Sequence, residues 1–272
     1  MTLFLHVCCA PDLTVSYKRL DEQGYEPVVY FYNPNIFPEE EYIKRFDEVK
    51  KLQRVWHFKL IQGKYEPSVY YNRIKGNEYN KRNRCLECIR LRLNSTIFMA
   101  KELGFTIYSS SLLASPRKSH EDILNISKEL EHEYEDQNIK FKYLNFRSNN
   151  GIKESSKICK TYNIYRQDYC GCVFSLSESK KYEEESKRDN FKKLEKIVGE
   201  EYANKLFNYY KTDLLRVPED VPYEFLLIDG INSLKYLKPQ IVLIKKEIAN
   251  DFGLSESGRY KIGNWKTKII IW

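Results

Sequence analysis

Short apolar runs alternate with amphipathic stretches through the first two thirds of the chain, and this rhythm narrows the choice of fold. Residues 3–7, 27–32, 56–61, 105–109 and 140–144 read as strands. Between and after them, residues 12–23, 38–53, 88–103, 119–134 and 152–163 carry apolar side chains at helical spacing. Gly24 and Gly104 close two of these helices, and Pro38 followed by three glutamates opens another with acids where the macrodipole favours them. Residues 66–83 are a polar, tyrosine-bearing connection with no assigned structure. Strand, helix, strand in succession requires crossover connections, so the pattern predicts an α/β fold: a mostly parallel sheet with helices on both faces. After residue 177 the rhythm changes. Residues 179–188 read as a charge-dense hinge, 190–210 as a helix, and 224–228, 240–244 and 268–271 as strands. Two domains are expected, 1–177 and a small C-terminal α+β appendage, 178–272.

In such sheets ligands bind beyond the carboxyl ends of the strands, where loops leave a crevice. The first strand delivers Cys8 and Cys9 to that edge, with Pro11 and Asp12 starting the next helix. No run approaches the roughly 18 apolar residues of a membrane helix. The first seven residues lack the basic flank and cleavage site of a secretion signal, so a cytoplasmic protein with no membrane partner is expected. The seven cysteines are then no disulfide framework, and metal or redox chemistry leads.

Six cysteines come in three close pairs: Cys8-Cys9, Cys85-Leu-Glu-Cys88 and Cys170-Gly-Cys172. The C-x-x-C spacing lets two thiolates converge on one centre, and Gly171 permits a tight fold between the last two. One zinc takes four ligands, so six thiols plus Asp12 imply coincidence or more than one metal centre. Ligand softness allows zinc or an iron–sulfur cluster equally. Asp12 is a helix cap by position and a metal ligand by neighbourhood. Cys159 lies on the apolar face of its helix and reads as core, as does His6 inside the first strand.

Lys81, Arg82, Arg84, Arg90 and Arg92 against Glu87 give +4 over twelve residues, within a chain of net charge +7. These side chains form either a solvated face or an approach for a phosphate backbone. Tyr32 and Asn33 end the second strand at the same edge, where they either pack or stack on and hydrogen-bond a base.

Five segments in order, His6-Val-Cys-Cys-Ala-Pro-Asp12, Tyr30-Phe-Tyr-Asn-Pro-Asn-Ile36, Arg84-Cys-Leu-Glu-Cys-Ile-Arg-Leu-Arg-Leu93, Ser109-Ser-Ser-Leu-Leu-Ala-Ser-Pro116 and Tyr165-Arg-Gln-Asp-Tyr-Cys-Gly-Cys-Val-Phe-Ser175, resemble the QueH-type epoxyqueuosine reductases. The likeness spans residues 3–177. It implies a nucleotide-hydrolase-like α/β fold and reduction of epoxyqueuosine to queuosine at the wobble position of tRNA. It also implies a 4Fe-4S cluster with an adjacent second metal, iron, held among Cys8, Cys9, Asp12, Cys85, Cys88, Cys170 and Cys172. Many relatives carry a cysteine where this chain has Asp12, a harder ligand that still suits iron. The first loop has no glycine to cradle a phosphate, so no ATP is expected, and no histidine pattern suggests cobalamin.

Removing the epoxide oxygen takes two electrons and two protons and releases water. The expected partners are a tRNA anticodon loop carrying epoxyqueuosine and an external electron donor such as a ferredoxin. Tyr32, Asn33, Arg82, Arg84, Arg90 and Arg92 are the candidate tRNA contacts. Asp12, at the second metal, and Asp168 and Tyr169, as proton donors beside Cys170, are the candidate catalytic groups. Asp168 has a cap's role as its alternative and Tyr169 a packing role. The rival functions are an iron–sulfur tRNA thiolation enzyme and a non-catalytic, zinc-stapled RNA-binding module.

Overall fold

In the computed structural model, which describes residues 1–134 and 138–272, strand β1 (Thr2–Val7) is the middle of a five-stranded sheet. Every residue of β1 after Thr2 is buried, which is what a strand covered on both faces requires. The chain continues through α1 (Ala10–Asp21), β2 (Glu26–Phe31), α2 (Glu39–Trp56), β3 (Leu60–Gln62), α3 (Pro67–Ile74) and α4 (Lys81–Glu102). It then crosses to β4 (Ile107–Ser110), α5 (His120–Glu133), β5 (Lys140–Phe141) and α6 (Gly151–Thr161). Strand order is β3-β2-β1-β4-β5, and each neighbouring pair is parallel. The chain winds outward on one side of β1, then returns to wind outward on the other. The reversal puts the switch point between β1 and β4, where a doubly wound sheet opens its crevice.

Three boundaries differ from expectation in ways that matter for the site. Helix α4 begins at Lys81 rather than residue 88, because Asn80 caps it by accepting from the Asn83 amide. Cys85 and Cys88 therefore lie on its first turns rather than in a loop. Residues 67–74 of the unassigned connection form α3, entered through Pro67 at the helix start. Trp56 ends α2 instead of starting β3, since His57 takes a left-handed cap (φ 57°) whose amide bonds the Gln53 carbonyl.

Two compact units divide the chain, Met1–Ser179 and Lys180–Trp272. Helix α7 (Val173–Val198) is followed by α8 (Glu200–Phe207), β6 (Leu214–Val217), α9 (Tyr223–Leu227), β7 (Ile241–Ile244), α10 (Lys246–Asp251), β8 (Gly258–Ile262) and β9 (Trp265–Ile271). The second sheet has the order β6-β7-β9-β8, with β8 antiparallel to β9 and the other pairs parallel. Residues 179–188, expected as a charge-dense hinge, are helical: the stretch has neither glycine nor proline and is rich in lysine and glutamate, good helix formers. The helix expected over 190–210 breaks at Gly199, whose φ of +80° ends α7. The strand expected over 224–228 is α9, with Phe225 and Leu226 buried in the second core.

Candidate metal centre

The turn after β1 is held from below by buried hydrogen bonds. His6 links β1 to both neighbours, its Nδ1 2.8 Å from the Ser110 hydroxyl and its Nε2 3.1 Å from the Tyr32 carbonyl. A carbonyl only accepts, so Nε2 carries the proton and Ser110 donates to Nδ1. Asn33 donates to the Val7 carbonyl at 2.8 Å, and the Cys8 amide donates to Ser111 Oγ at 3.1 Å. On this frame Cys8, Cys9 and Asp12 bring one ligand atom each within 4.8 Å of one another. Cys8 Sγ lies 3.2 Å from Asp12 Oδ2 and 3.7 Å from Cys9 Sγ. Cys9, not Asp12, occupies the N-cap of α1; Asp12 sits in the first turn and turns its carboxylate to the thiols. Burial lifts the Asp12 carboxyl above its ordinary range against hydrogen bonds from both thiols and the charges of Arg45 and Arg166. The hydrogen bond with Cys9, together with burial, pushes the Cys8 thiol well up.

The other four site cysteines come from α4 and from the segment entering α7. Cys88 and Cys172 share a small buried cluster with Tyr70 and Ile74 of α3. Arg92, one helical face along from Cys85 and Cys88, is 2% exposed and feels Cys88, Cys170, Cys8 and Cys85 together. Burial opposes its charge, and those sulfurs more than compensate. Lys118, 8% exposed, is held charged in the same way, by Cys170 first. In return, although burial pushes the Cys170 thiol up, Lys118, Arg92 and Arg45 pull it below its usual value. Burial lifts Cys88 to about 11. Arg45 fixes the segment itself: it is buried, paired with Glu41 at 2.7 Å, and donates to the carbonyls of Cys170 (2.9 Å) and Tyr169 (3.3 Å). A side chain at position 171 would meet Arg45, Ile36 and Asn35 at 3.1–3.2 Å, and φ there is +139°, so glycine is required.

A cleft of ≈ 190 Å³ opens over the triad, lined among others by Cys8, Asp12, Cys170, Gln167, Tyr169 and five cations: Arg45, Arg92, Arg117, Lys118 and Arg166. Three buried donors near the sulfurs have no hydrogen-bond partner among the described residues: Tyr70 OH, Arg84 Nε and Arg92 Nη2. A buried unpaired donor costs about 1–3 kcal/mol, so donors gathered around soft thiols fit an anionic, sulfur-rich group as their acceptor.

The expected nucleic-acid contacts fare differently. Arg92 is interior and faces thiols rather than solvent. Arg84 is also buried, bonded to Glu178 and the Glu78 carbonyl and lying over the Phe174 ring. Arg82 and Arg90 are ion-paired, to Asp122 and to Glu129 and Glu133. The α4 arginines are thus internal or paired: Arg84 and Arg92 lie on the helix face turned to the interior, and Arg82 and Arg90, on another face, meet carboxylates of α5. Tyr32 is half-buried and stacks on Tyr30 at 5.8 Å; Asn33 is 1% exposed. Of the candidate proton donors, Tyr169 lines the cleft and donates to the Phe37 carbonyl at 2.5 Å, with burial lifting its hydroxyl to about 12. Asp168 is exposed, is not among the lining residues, and offers its carbonyl to Arg117. Cys159 and His6 are buried in the core. Sequence reading missed Arg45, Lys118 and Tyr70. Arg45 and Lys118 each follow another cation, Lys44 and Arg117, and only the packed structure reveals which of the two is buried; Tyr70 lies in the unassigned connection.

A model of the family "Epoxyqueuosine reductase QueH" matches residues 3–178. The epoxyqueuosine reductase QueH of Thermotoga maritima is 38% identical over 194 residues, 69% of this chain and 96% of the relative. That of Dehalococcoides mccartyi is 36% identical over 177 residues, 65% of this chain and 93% of the relative. Among solved structures, a predicted subunit of tRNA methyltransferase from Methanocaldococcus jannaschii overlays with a TM-score of 0.40 and 14% identity, covering 57% of this chain and 76% of that one.

Proposed function

The chain belongs to the epoxyqueuosine reductase QueH family, and we propose that it converts epoxyqueuosine to queuosine in tRNA at the cleft over Cys8, Cys9 and Asp12. The observation that carries the placement is the convergence of those three ligand atoms under a cleft lined by five cations. Cys8, Cys9, Asp12, Cys85, Cys88, Cys170 and Cys172 would hold a 4Fe-4S cluster and a second iron. When bound, these centres supply the electrons and a Lewis acid for the epoxide oxygen.

The chain's own residues do the rest. Arg92 and Lys118 offset the negative charge that several thiolates place in the interior, an arrangement that would otherwise be costly. Tyr70, Arg84 and Arg92 hold spare donors close to the cysteines, and hydrogen bonds to cluster sulfurs set electron affinity. Tyr169 keeps its proton at neutral pH, because burial lifts its hydroxyl to about 12, and it would be the cleft's candidate donor to the departing oxygen once the hydroxyl turns away from the Phe37 carbonyl that it bonds here. Asp168, outside the lining, is assigned a structural role through its carbonyl. The reaction consumes two electrons and two protons and releases water, so an external one-electron donor such as a ferredoxin completes it.

Among the described residues no helix is long and apolar enough to cross a membrane. The test is anaerobic purification followed by iron and sulfide quantification, with an assay on tRNA carrying epoxyqueuosine and a low-potential artificial reductant. About four sulfides and about five irons per chain, with conversion to queuosine, are expected. A single colourless zinc and no turnover would overturn the reading.

A further inference from the structure

We propose that Arg117 and Arg166 at the mouth of the cleft, continued by Lys153 and Lys160 on α6, clamp the tRNA phosphates that flank the reacting nucleotide; this rests on the function proposed above.

The cations of the cleft fall into two layers. Arg45, Arg92 and Lys118 are buried and turned to sulfurs or carbonyls. Arg117 and Arg166 are exposed, line the same cleft as Cys8 and Asp12, and form no ion pair among the described residues. Each is anchored by one hydrogen bond, Arg117 to the Asp168 carbonyl and Arg166 Nη1 to Ser156 Oγ at 2.9 Å. Among the described residues no carboxylate comes within ion-pair distance of either guanidinium, though Arg166 acts on Asp12 from farther off, and a planar fork of that kind suits a phosphate held by two oxygens.

Helix α6 extends the charge. Lys153 and Lys160 lie three residues before and four after Ser156, so they share its face, and both are exposed and unpaired among the described residues. Seven residues of helix separate them by about 10 Å, a reach of one to two nucleotides. The one acid of the α6 first turn, Glu154, is already neutralised by Lys18 at 2.5 Å and Arg19 at 3.5 Å. A strand lying along this ridge would place one nucleotide over the triad while its neighbours' phosphates meet Arg166 and Arg117. By contrast, the cations of α4 that the sequence singled out are paired or interior. Among the cations bordering the cleft and on α4 and α6, those exposed and without an ion pair among the described residues lie on the α6 side.

The test is binding of fluorescent tRNA carrying epoxyqueuosine, followed against salt, for wild type, the Arg117→Ala/Arg166→Ala pair and the Lys153→Ala/Lys160→Ala pair. Lys59→Ala, at the opposite edge of the sheet just before β3, removes one surface charge, against two in either pair, as control. The arginine pair is expected to weaken binding roughly 10- to 100-fold and the lysine pair about 5-fold. The log–log salt slope should fall by about 0.7 for each phosphate no longer neutralised, roughly 1.4 for either pair. KM for tRNA should rise in step in both pairs, while iron content stays near wild type and kcat at saturating tRNA stays near wild type in the lysine pair, and Arg117→Lys/Arg166→Lys should recover part of the affinity. A salt slope unchanged in both pairs, or a weakening matched by Lys59→Ala, overturns the clamp alone. A wild-type protein that neither binds this tRNA nor reduces it overturns the functional reading with it.

Discussion

The two halves of the thiol site are held in different ways. Cys8, Cys9 and Asp12 belong to one turn of chain, and local backbone geometry, braced by Asn33 and Ser111, already brings their ligand atoms within 4.8 Å. Cys85 and Cys88 come from α4 and Cys170 and Cys172 from the segment entering α7, and only tertiary packing makes the two pairs neighbours. The first half has an acid as its third member. The second is ringed by Arg92, Lys118 and Arg84, with donors that find no acceptor among the described residues. A compact, mixed oxygen and sulfur set suits a single hard-to-borderline ion, whereas thiols surrounded by surplus positive charge suit a larger, more negative inorganic group. We infer from this difference that the first half would hold the second iron and the other half most of the cluster.

The largest effect expected from that division is at the second half. Cys88→Ser or Cys170→Ser should remove labile sulfide and brown colour and lower turnover at least about 1,000-fold, while tRNA affinity stays within about threefold. Retention of about four sulfides per chain by both variants would erase the distinction. Asp12→Asn should act more narrowly. It is expected to lose about one iron per chain, keep its sulfide, and slow turnover roughly 10- to 100-fold, with Asp12→Cys recovering the iron. Parallel loss of iron and sulfide in Asp12→Asn would mean that the halves serve one centre.

How much of this was legible follows the same line. The parallel sheet could be read because its buried strands are near-continuous apolar runs, and the first half of the site because its three residues are close in sequence. The six site cysteines also stood out as pairs. What joins them did not. Arg45 looks like any charge on an amphipathic helix until Glu41 and two carbonyls are seen to close around it. The charge run of α4 suggested a surface, but a helix beginning at Lys81 turns Arg84 and Arg92 inward, and pattern alone does not report which side of a polar helix meets the core. In the C-terminal unit, β6 and β8 are short and interrupted by Arg216, Arg259 and Lys261, so period-two alternation was too brief to register.

The smallest expected effect bears on how firmly the first half is braced. His6 is fully buried beneath it, and burial first, then the nearby Arg92 charge, lowers its imidazole to about 3, only partly offset by the bond to the Tyr32 carbonyl. The folded protein therefore keeps His6 neutral, while in the unfolded chain it titrates near 6.5. Its contribution is intact above that value and is lost as pH falls toward 3, because the unfolded state takes up a proton that the fold refuses. One proton amounts to about 1.4 kcal/mol per pH unit, so about 2–3 kcal/mol should disappear between pH 6.5 and 4.5 beyond what other groups contribute. His6→Gln, which keeps a donor and an acceptor but does not titrate, should show a shallower slope by that amount in urea unfolding across this range. Hydrogen exchange corrected for intrinsic rate should show residues 2–12 losing protection before residues 81–102 in the wild type, and His6→Gln removing the difference. Equal loss in both segments would mean that the turn carrying Cys8 and Cys9 opens only with the whole domain, and the contrast between a locally braced half and a packed half would then be one of geometry without a difference in stability.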